Sequence, residues 1–596
     1  MKIDHYINTD VLVIGGGVAA TRAALSSAEN GAKTTMVIKK ELGKSGSTNW
    51  PRKGMYGSAW QAADGCGGDS DSPEVHYKDI MNSALGMADA KLAKILSEES
   101  PERLRELENW GFKLVKDPEN NKPHYSGYSC FASQPRAHGM LANAKGGHTG
   151  NLIEVMSNKL TNYDCEIHEN ITIIDLIVND NQCSGAIGIN KDGDFIKYRC
   201  GSVIIGTGGA AQIFPLSSTP GDITGDGYAM AFRAGASLTN LEFMQYMVKT
   251  IYSGSKNLQT LVDSQVGGTF WTLNPKLIDI NGKNILEEIL PENINESESF
   301  EMRTNHYPFS SRDSSKWIDI SIQRCIRSGN ASKKGGVIVD FSEIDLKNIK
   351  QSKPQHSPTK SVATTLLGND ENKQIDVTHS AHAVNGGIVV DEWGATEIDG
   401  LFAVGETIAG PHGADRLGGG MISQSCVFGK RTGEKAASYS SEINSINDHH
   451  EEIQIRLEKF KNSNGPSYNT IRKELKTLAK DNLIVERNGK GLDFMDKRIN
   501  ELINEEIINS PFSRNISLIK NLETENLLTV AKLMVKSAKM RKESRGSHCR
   551  SDYQNIDNKS WNKSIFWNLE NGKLKYELKQ YRQDPNNVKQ LSKIKT

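Results

Sequence analysis

Three glycines that follow a short apolar run near the start of the chain constrain the fold more than any other feature of the sequence. Residues 10–14 (DVLVI) predict a buried strand, and the next six residues (GGGVAA) open an Ala-rich helical stretch. In such a G-x-G-x-x-A pattern Gly15 permits a tight turn, Gly17 lets a pyrophosphate approach the backbone, and Ala20 allows close helix–strand packing. A second apolar run (TTMVIKK) follows, so the sequence predicts a βαβ dinucleotide-binding unit.

The second apolar run ends in two lysines, Lys39 and Lys40. Many dinucleotide-binding folds place an acidic residue at this point, where it binds the ribose of NAD. The lysines therefore argue against NAD. We expect backbone groups to hold the adenosine of the cofactor, with Lys39 beside it.

Two more predicted strands end in glycines. The segment GSVIIGTGGAA places Gly206, Gly208 and Gly209 after an apolar run, and GLFAVGE ends in Glu406. Glycine at such a position lets the backbone pass close to a flat ligand. The Glu406 carboxylate suits the hydroxyl groups of a ribityl chain or a ribose. Three strands of this kind, far apart in the sequence, predict one long ligand across a sheet, and FAD fits better than a mononucleotide.

Composition argues against several classes of function. The 596 residues include 72 Lys and Arg and 72 Asp and Glu, so the formal net charge is zero and gives no reason to expect nucleic acid or an anionic membrane as partner. The length suggests about three to five structural units. No apolar run reaches about 18 residues, and the first residues lack the apolar core of a signal peptide. We therefore expect a cytoplasmic chain without a membrane span.

The eight cysteines are scattered and form no C-x-x-C pair. Iron–sulfur clusters and structural zinc need closely grouped thiolates, so we expect no metal in this chain. Any electron relay beyond a flavin would then come from another protein. An iron–sulfur or other electron-transfer protein is a candidate partner.

A series of short segments matches one known family in order along nearly the whole chain. They are IGGGVAATRAAL (14–25), GTGGAAQIF (206–214), TGDGYAMAFRAGASL (224–238), SSRD (310–313), HAVNGGIVVD (382–391), GLFAVGE (400–406), HGADRLGGG (412–420), VFGKRTGE (427–434) and RKESRGSHCRSDY (541–553). Together they resemble the flavoprotein subunits of succinate dehydrogenase and fumarate reductase, a family that also includes L-aspartate oxidase.

The resemblance and the glycine-closed strands together imply an α/β Rossmann-like FAD-binding domain with an inserted α+β capping domain and a C-terminal helical region. We expect residues 1–240 and 359–440 to form the FAD-binding domain, 241–358 the cap, and 441–596 the helical region. The cap must close over the flavin to bring a catalytic residue to the substrate and to exclude water.

The resemblance also implies three catalytic residues. Arg312, in the SSRD segment, corresponds to the arginine that exchanges a proton with a substrate carbon. His382 and Arg416 correspond to the pair that binds the substrate carboxylate, and a guanidinium beside an imidazole is a sound clamp for that group. The flavin N5 would exchange hydride with the opposite carbon.

Each of these residues also has a structural interpretation. Arg312 could form a surface ion pair with Asp313. His382 could be a loop histidine, and Arg416 could bind the carbonyls of its own glycine-rich loop. Their positions in three matching motifs favour the catalytic roles.

The expected cofactor contacts are the glycine motifs, several strand-end side chains and the segment that corresponds to the covalent attachment site. They are Gly15, Gly17, Ala20, Lys39, Ser47, Thr48, Gly208, Gly209, Asp226, Glu406 and Ser423. Family members that bond FAD covalently use a histidine in an S-H-T segment. Residues 46–48 read Gly-Ser-Thr, so we expect non-covalent FAD. In the last matching segment we expect Arg541, Glu543, Arg545 and His548 to be structural.

The chain departs from the family at three places that concern the substrate. The second substrate histidine of a Q-F-H-P-T segment corresponds to Met247, whose thioether cannot bind a carboxylate. A family run whose glutamate and arginine relay protons reads LVDSQVGG here (261–268), with Asp263 as the nearest replacement, and the asparagine of HGANRLGG is Asp415. We therefore expect succinate and fumarate to be poor substrates. A ligand with one carboxylate and a less charged far end, lined by Met247, should do better.

The expected activity is a two-electron redox reaction that interconverts a saturated C–C or C–N bond and its unsaturated partner in a small carboxylate or amino acid. A fumarate reductase-like enzyme and an L-aspartate oxidase-like enzyme are both open. So is the flavin subunit of an adenylylsulfate reductase-like complex. A non-catalytic FAD-binding protein is a fourth alternative, against which Arg312, His382 and Arg416 argue.

Overall fold

The computed structural model describes most of the chain. The described residues are 2–44, 46–47, 57–64, 68–114, 130–140, 150–251, 269–306, 308–344, 373–443, 447, 449–458, 460, 465–507, 516–570 and 572–581.

The strands are short and are numbered in chain order. They are β1 (His5–Asn8), β2 (Val11–Ile14), β3 (Thr34–Ile38), β4 (Gly57–Gln61), β5 (Ala137–Met140), β6 (Cys165–Glu169), β7 (Ile171–Asn179), β8 (Gln182–Asn190), β9 (Phe195–Arg199), β10 (Ser202–Ile205), β11 (Leu238–Thr239), β12 (Met244–Thr250), β13 (Lys276–Ile278), β14 (Val337–Asp340), β15 (Gln374–Val384), β16 (Gly387–Ile388), β17 (Leu401–Ala403), β18 (Glu486–Arg487), β19 (Cys549–Arg550), β20 (Ser564–Glu570) and β21 (Lys573–Lys579).

The helices are numbered in the same way. They are α1 (Val18–Glu29), α2 (Pro73–Ala84), α3 (Ala90–Asn109), α4 (Gly150–Leu160), α5 (Asp226–Arg233), α6 (Glu296–Asn305), α7 (Lys316–Arg327), α8 (Gly420–Glu442), α9 (Glu451–Glu458), α10 (Tyr468–Asn482), α11 (Gly489–Glu501), α12 (Ile516–Met540) and α13 (Asn558–Trp561). None of the helices in the described ranges is both long and apolar enough to cross a bilayer.

A parallel sheet in the order β17-β10-β2-β3-β6 carries the predicted βαβ unit. Every residue of β2, β3 and β10 is buried, as expected for parallel strands that are covered on both faces. This double burial is why these strands appear in the sequence as continuous apolar runs. The GGGVAA segment stands at the carboxyl end of β2, where it leads into α1.

Helix α8 packs closely against α1 through two glycines one helical turn apart. A Cβ atom on Gly429 would lie 2.8 Å from Cβ of Arg22, and one on Gly433 would lie 2.3 Å from the carbonyl oxygen of Ala23. The hydroxyl of Ser27 donates to the carbonyl of Gly433 at 3.1 Å. The VFGKRTGE segment therefore fixes α8, and the glycine-rich loop before it, against the dinucleotide-binding helix.

The inserted unit is an antiparallel sheet in the order β12-β15-β14-β13, with α6 and α7 beside it. Trp271, Phe300 and Ile318 belong to its own buried core. Strand β15 is part of this sheet although its sequence falls in the range expected for the FAD-binding domain. The expected boundary at 358–359 lies outside the described residues.

Beyond Met540 the described part of the C-terminal region contains one short helix, α13, and is otherwise strands and loops. After α13, β20 and β21 form a hairpin that pairs with β11 and so joins a sheet with β16. The expectation of a helical region therefore missed this hairpin. The dipeptide Asn571-Gly572 between two apolar segments is a common hairpin signal that could have predicted it.

Candidate active site

The three glycine-closed strands meet at one edge of the parallel sheet. The N–H of Gly206 donates to the carbonyl of Ile14 at 2.8 Å, and that of Val404 donates to Ile205 at 2.9 Å. Gly15 has a positive φ of 127°, and a Cβ atom there would stand 2.2 Å from the carbonyl oxygen of Gly206. Only glycine is compatible with this close approach. The expectation that these segments form one ligand-binding surface agrees with this geometry.

The start of α1 lies on the same surface. Gly17 is the residue before the helix and has extended backbone, and no side chain caps the first turn. Ala20 has no exposed surface, and its Cβ would lie 2.9 Å from a Cβ on Gly206. An uncapped helix N-terminus beside bare glycine backbone suits the pyrophosphate of a dinucleotide.

Glu406 lies on this surface close to the second glycine motif. A Cβ atom on Gly209 would stand 2.3 Å from Oε1 of Glu406, and that oxygen accepts a hydrogen bond from the N–H of Val384 at 3.1 Å. Burial raises the pKa of Glu406 to about 7, although the Val384 N–H and the charge of Arg416 act in the opposite direction. Gly208 donates its N–H to the hydroxyl of Thr407 at 3.1 Å. The residues present therefore fit FAD, with bare glycine backbone along its length and Glu406 for its hydroxyl groups.

Lys39 stands at the end of β3 in a cluster of opposite charges. Its Nζ lies 2.5 Å from Oδ2 of Asp226 and 3.1 Å from Oε1 of Glu523, and it donates to the hydroxyl of Thr224 at 3.0 Å. Burial alone would lower the pKa of Lys39, but the two carboxylates outweigh it and raise the pKa. Lys39 therefore anchors the acidic residues of α5 and α12. Its contact with the cofactor stays a prediction, as does that of Asp226.

Two other expected cofactor residues can be located. The hydroxyl of Ser423 donates to the carbonyl of Gln61 at 2.9 Å and accepts from the Gln61 N–H at 3.0 Å, so it holds β4 against α8. Ser47 is exposed, and Thr48 lies outside the described residues.

His382 lies in β15, at a point where the pairing of β15 with β12 shifts by one residue. Gln245 of β12 pairs with Ala383 and Tyr246 pairs with Ala381, so His382 is the extra residue of a β-bulge. Its Nδ1 lies 2.8 Å from the hydroxyl oxygen of Ser218. Burial, followed by the charges of Arg416 and Lys249, lowers the pKa of His382 to about 3. The imidazole is therefore neutral and can donate a hydrogen bond from Nε2 when Ser218 donates to Nδ1.

Arg416 is buried near His382. Its Nε donates to Oε1 of Gln245 at 3.1 Å, and Nη1 donates to the carbonyl of Leu417 at 3.2 Å. The Gln245 amide donates in turn to the carbonyl of Arg416 at 3.2 Å. Gln245 therefore couples β12 to Arg416.

Arg312 lies against the same glycine-rich loop. Its Nη2 and Nε donate to Oδ2 of Asp415 at 2.7 and 3.1 Å, and Nη2 also donates to the carbonyl of Ser83 at 2.8 Å. The guanidinium carbon stands 4.3 Å above the ring of Phe131. The neighbouring Asp313 pairs instead with His306 at 2.9 Å. The structure thus brings Arg312 beside Asp415, the neighbour of Arg416 in sequence, and the Arg312–Asp313 surface pair does not form.

Lys249 is a site residue that sequence reasoning missed. Gln245, Met247 and Lys249 occupy alternate positions of β12 and so share one face of the strand. Gln245 binds Arg416, and the charge of Lys249 acts on His382. The alternation of side chains along a strand, counted in steps of two from Gln245, could have indicated Lys249. Asp263 and the rest of 261–268 lie outside the described residues.

The last matching segment (541–553) contacts the loops that carry Arg312 and Arg416. The side chains of Arg541, Glu543, Arg545 and His548 are buried. Arg541 Nε donates to Oε1 of Glu242 at 2.7 Å. The backbone N–H of Ser311 donates to the carbonyl of Gly546 at 2.7 Å, and Ser547 Oγ donates to Ala414 O at 2.9 Å. These contacts hold the loops of Arg312 and Arg416 together, in agreement with a structural role.

Comparisons with known proteins give the family. Residues 10–422 match the FAD binding domain family, and residues 472–594 match the fumarate reductase flavoprotein C-terminal family. The chain is 29% identical over 575 residues to one of the subunits of fumarate reductase (CoM/CoB) from Methanothermobacter marburgensis, with 94% of this chain and 97% of the relative covered. It is 30% identical to an uncharacterised FAD-dependent oxidoreductase of Methanocaldococcus jannaschii, with 92% and 94% covered.

A solved structure shares the fold. Mycobacterium smegmatis Sdh1 in complex with UQ1 superimposes with a TM-score of 0.80 at 24% identity, covering 99% of this chain and 98% of that one. The family match spans well over half of the chain, and its glycine-lined surface fits the cofactor of that family. The protein therefore belongs to the FAD-dependent oxidoreductases of the succinate dehydrogenase and fumarate reductase flavoprotein family.

Proposed function

We propose that this oxidoreductase interconverts a saturated and an unsaturated small carboxylate. Arg416 and His382 hold the carboxylate, and Arg312 exchanges a proton with a substrate carbon. The observation that carries this proposal is the contact between Arg312 and Asp415, which joins the loop of Arg312 to the loop that carries Arg416.

Charge and burial suit this division of roles. Arg416 is 5% exposed, so a carboxylate that binds it exchanges water for strong charge-assisted hydrogen bonds. His382 adds a donor without adding charge, because its pKa lies at about 3. The FAD that these residues face would accept or supply two electrons. Burial of the surrounding loops excludes water from the reacting carbons.

The electrostatics favour a simple carboxylate over an amino acid. Arg416 and Lys249 are the two charged groups whose fields lower the pKa of His382, and both are cations. An amino-acid substrate would bring its ammonium group close to them, and like charges at short range in a buried site repel strongly. The name of the Methanothermobacter relative, which is that of a fumarate reductase, supports the same choice.

We further propose a separate electron-transfer partner, such as an iron–sulfur protein. In the part of the chain that the structure describes, no three His, Cys, Asp or Glu side chains are grouped as a metal site requires. The Methanothermobacter relative is itself named as one subunit of an enzyme. Electrons that reach the flavin must then be exchanged with another protein or a small acceptor.

A substrate panel tests the proposal. Unsaturated carboxylates and adenylyl sulfate are offered with a reduced dye, and saturated carboxylates and amino acids are offered with an oxidised dye. We expect turnover with a carboxylate that carries no ammonium group. Turnover with amino acids alone would indicate an oxidase of the L-aspartate type, and turnover with adenylyl sulfate alone would indicate an enzyme of sulfur metabolism. A flavoprotein that reacts with none of them would be non-catalytic.

A further inference from the structure

The carboxylate of Asp415, in the glycine-rich loop 412–420, is enclosed by the loop that carries Ser310 and Arg312. Its Oδ2 accepts hydrogen bonds from Nε and Nη2 of Arg312, at 3.1 and 2.7 Å, and from the hydroxyl of Ser310 at 2.7 Å. The side chain has no exposed surface. Its Oδ1 is buried and has no hydrogen-bond partner among the described residues.

This arrangement is costly if Asp415 serves only to hold Arg312 in place. A buried polar atom without a partner costs about 1–3 kcal/mol, and more when the group is charged. Asparagine has nearly the same shape and could also accept the Arg312 hydrogen bonds through its amide oxygen. Aspartate differs from asparagine in its negative charge, which pairs with Arg312, and in its capacity to take up and release a proton.

Fixed contacts hold one side of the Arg312 guanidinium. Nε and Nη2 are bound by Asp415, and Nη2 also donates to the carbonyl of Ser83 at 2.8 Å. The plane is supported by Phe131, 4.3 Å from the guanidinium carbon. Nη1 makes no hydrogen bond to any residue that the structure describes. Asp415 therefore binds the side of the guanidinium that carries Nε and Nη2.

An arginine that exchanges protons with carbon needs a partner, because its guanidinium is fully protonated at ordinary pH. We propose that Asp415 is this partner, and that it accepts a proton from Arg312 during substrate oxidation and returns one during reduction. The inference rests on the proposed function and deepens it. Asp415 is a positioning residue, since it acts on the substrate only through Arg312.

During oxidation a proton passes from Nη2 to Oδ2 of Asp415, which leaves Arg312 as a neutral guanidine. The guanidine then takes the proton of the substrate C–H bond, and a bound FAD would supply the acceptor for the hydride of the adjacent carbon. The substrate thus loses two hydrogens and gains a C=C bond, Arg312 regains its charge, and Asp415 holds one proton, which it releases to solvent between turnovers. Reduction is the reverse.

Asp415→Asn is the first variant, because it keeps the shape and one hydrogen-bond acceptor while it removes the charge and the proton exchange. We expect kcat to fall by about 100-fold or more, the usual range for loss of a proton-transfer group, with KM changed by less than about threefold. In the oxidation direction the pH profile of kcat should differ between wild type and variant, because residue 415 of the variant no longer accepts a proton. Ser310→Ala, which removes a neighbouring donor but keeps the carboxylate, should cost less than about tenfold.

A second measurement uses the wild-type protein and does not depend on how a variant folds. In heavy water, the one exchangeable proton that passes between Arg312 and Asp415 predicts a kcat that falls linearly with deuterium content, and a substrate deuterated at carbon confirms that C–H cleavage limits the rate. A kcat that does not change with deuterium content, or an Asp415→Asn variant with wild-type kcat and an unchanged pH profile, would overturn the role of Asp415 alone. A wild-type protein without turnover on any carboxylate would overturn the proposed function and this inference together. Binding of an unreactive carboxylate, followed by its effect on the flavin spectrum, should be equal in wild type and Asp415→Asn.

Discussion

Gly209 and Glu406 lie in direct contact although almost 200 residues separate them in the sequence. A Cβ atom on Gly209 would stand 2.3 Å from Oε1 of Glu406. The Glu406 carboxylate, which follows β17, therefore packs against the backbone of Gly209, which follows β10. This contact depends on the absence of a side chain at Gly209, and it shapes the surface that fits FAD.

Gly209→Ala should therefore weaken FAD binding. The new methyl group must displace the Glu406 carboxylate, and the displaced oxygen is the one that accepts the N–H of Val384. We expect the dissociation constant of FAD to rise at least about tenfold, equivalent to about 1.4 kcal/mol. Gly221→Ala is the matched control, because nothing lies within 4 Å of a Cβ atom at Gly221. Equal FAD contents of the two purified variants would argue against the contact.

The raised pKa of Glu406 predicts a pH dependence of stability in the FAD-free protein. Its pKa rises from 4.5 to about 7 on folding, so its contribution to the free energy of unfolding is full below about pH 4.5 and is lost as the pH rises through about 7. His382 and His412, whose pKa values are lowered to about 3, act in the opposite sense, because stability falls as the pH drops below 6.5.

Comparing wild type with the Glu406→Gln variant isolates the effect of Glu406, because both proteins keep His382 and His412. Wild type should lose stability relative to this variant between about pH 5 and pH 8, as measured by denaturant unfolding at each pH. A constant difference would show that the carboxyl group has an ordinary pKa in the folded protein.

The third prediction concerns the attachment of the cofactor. Residue 47 is a serine, where covalent attachment uses a histidine, so FAD should be held by contacts alone. Acid precipitation should leave the yellow flavin in the supernatant. Flavin fluorescence that stays with the denatured polypeptide on a gel would refute this.

Local patterns predicted the parts of the structure that depend on neighbouring residues. The βαβ unit follows from a run of buried strand residues, three glycines and an Ala-rich helix, each of which is a short-range signal. The meeting of Gly15 and Gly206 follows as well, because parallel strands of one sheet bring their carboxyl ends together. These relationships need only the order of the elements.

Relationships that join distant segments were not predictable in the same way. The ion pairs of Lys39 connect β3 with α5 and α12, and no periodicity relates residues 39, 226 and 523. The bulge at His382 depends on how two strands pair, and Ser423 binds the backbone of β4 instead of presenting a free hydroxyl. Tertiary packing decides such details, so sequence patterns identified the residues without their contacts.

Lys249 bears on the prediction that succinate and fumarate are poor substrates. Met247 cannot bind a second carboxylate, and an unpartnered buried carboxylate costs several kcal/mol, or about three orders of magnitude in binding or rate. Steady-state kinetics with fumarate and a reduced dye should therefore show much weaker activity than with a monocarboxylate. Lys249→Met should change monocarboxylate turnover less than about tenfold. Efficient fumarate turnover that this variant loses would show that Lys249 supplies the second contact.

The most direct test of the account is anaerobic reoxidation of the photoreduced flavoprotein by an unsaturated carboxylate and by its neutral amide. Arg416 should bind the charged group, so stopped-flow absorbance should show reoxidation by the carboxylate at least about 100-fold faster than by the amide, as expected for loss of about 3 kcal/mol of charge-assisted binding. Arg416→Ala should react slowly with both compounds while it retains FAD, since the strand-end glycines hold the cofactor. Equal rates for carboxylate and amide in wild type, or wild-type rates in Arg416→Ala, would contradict the account.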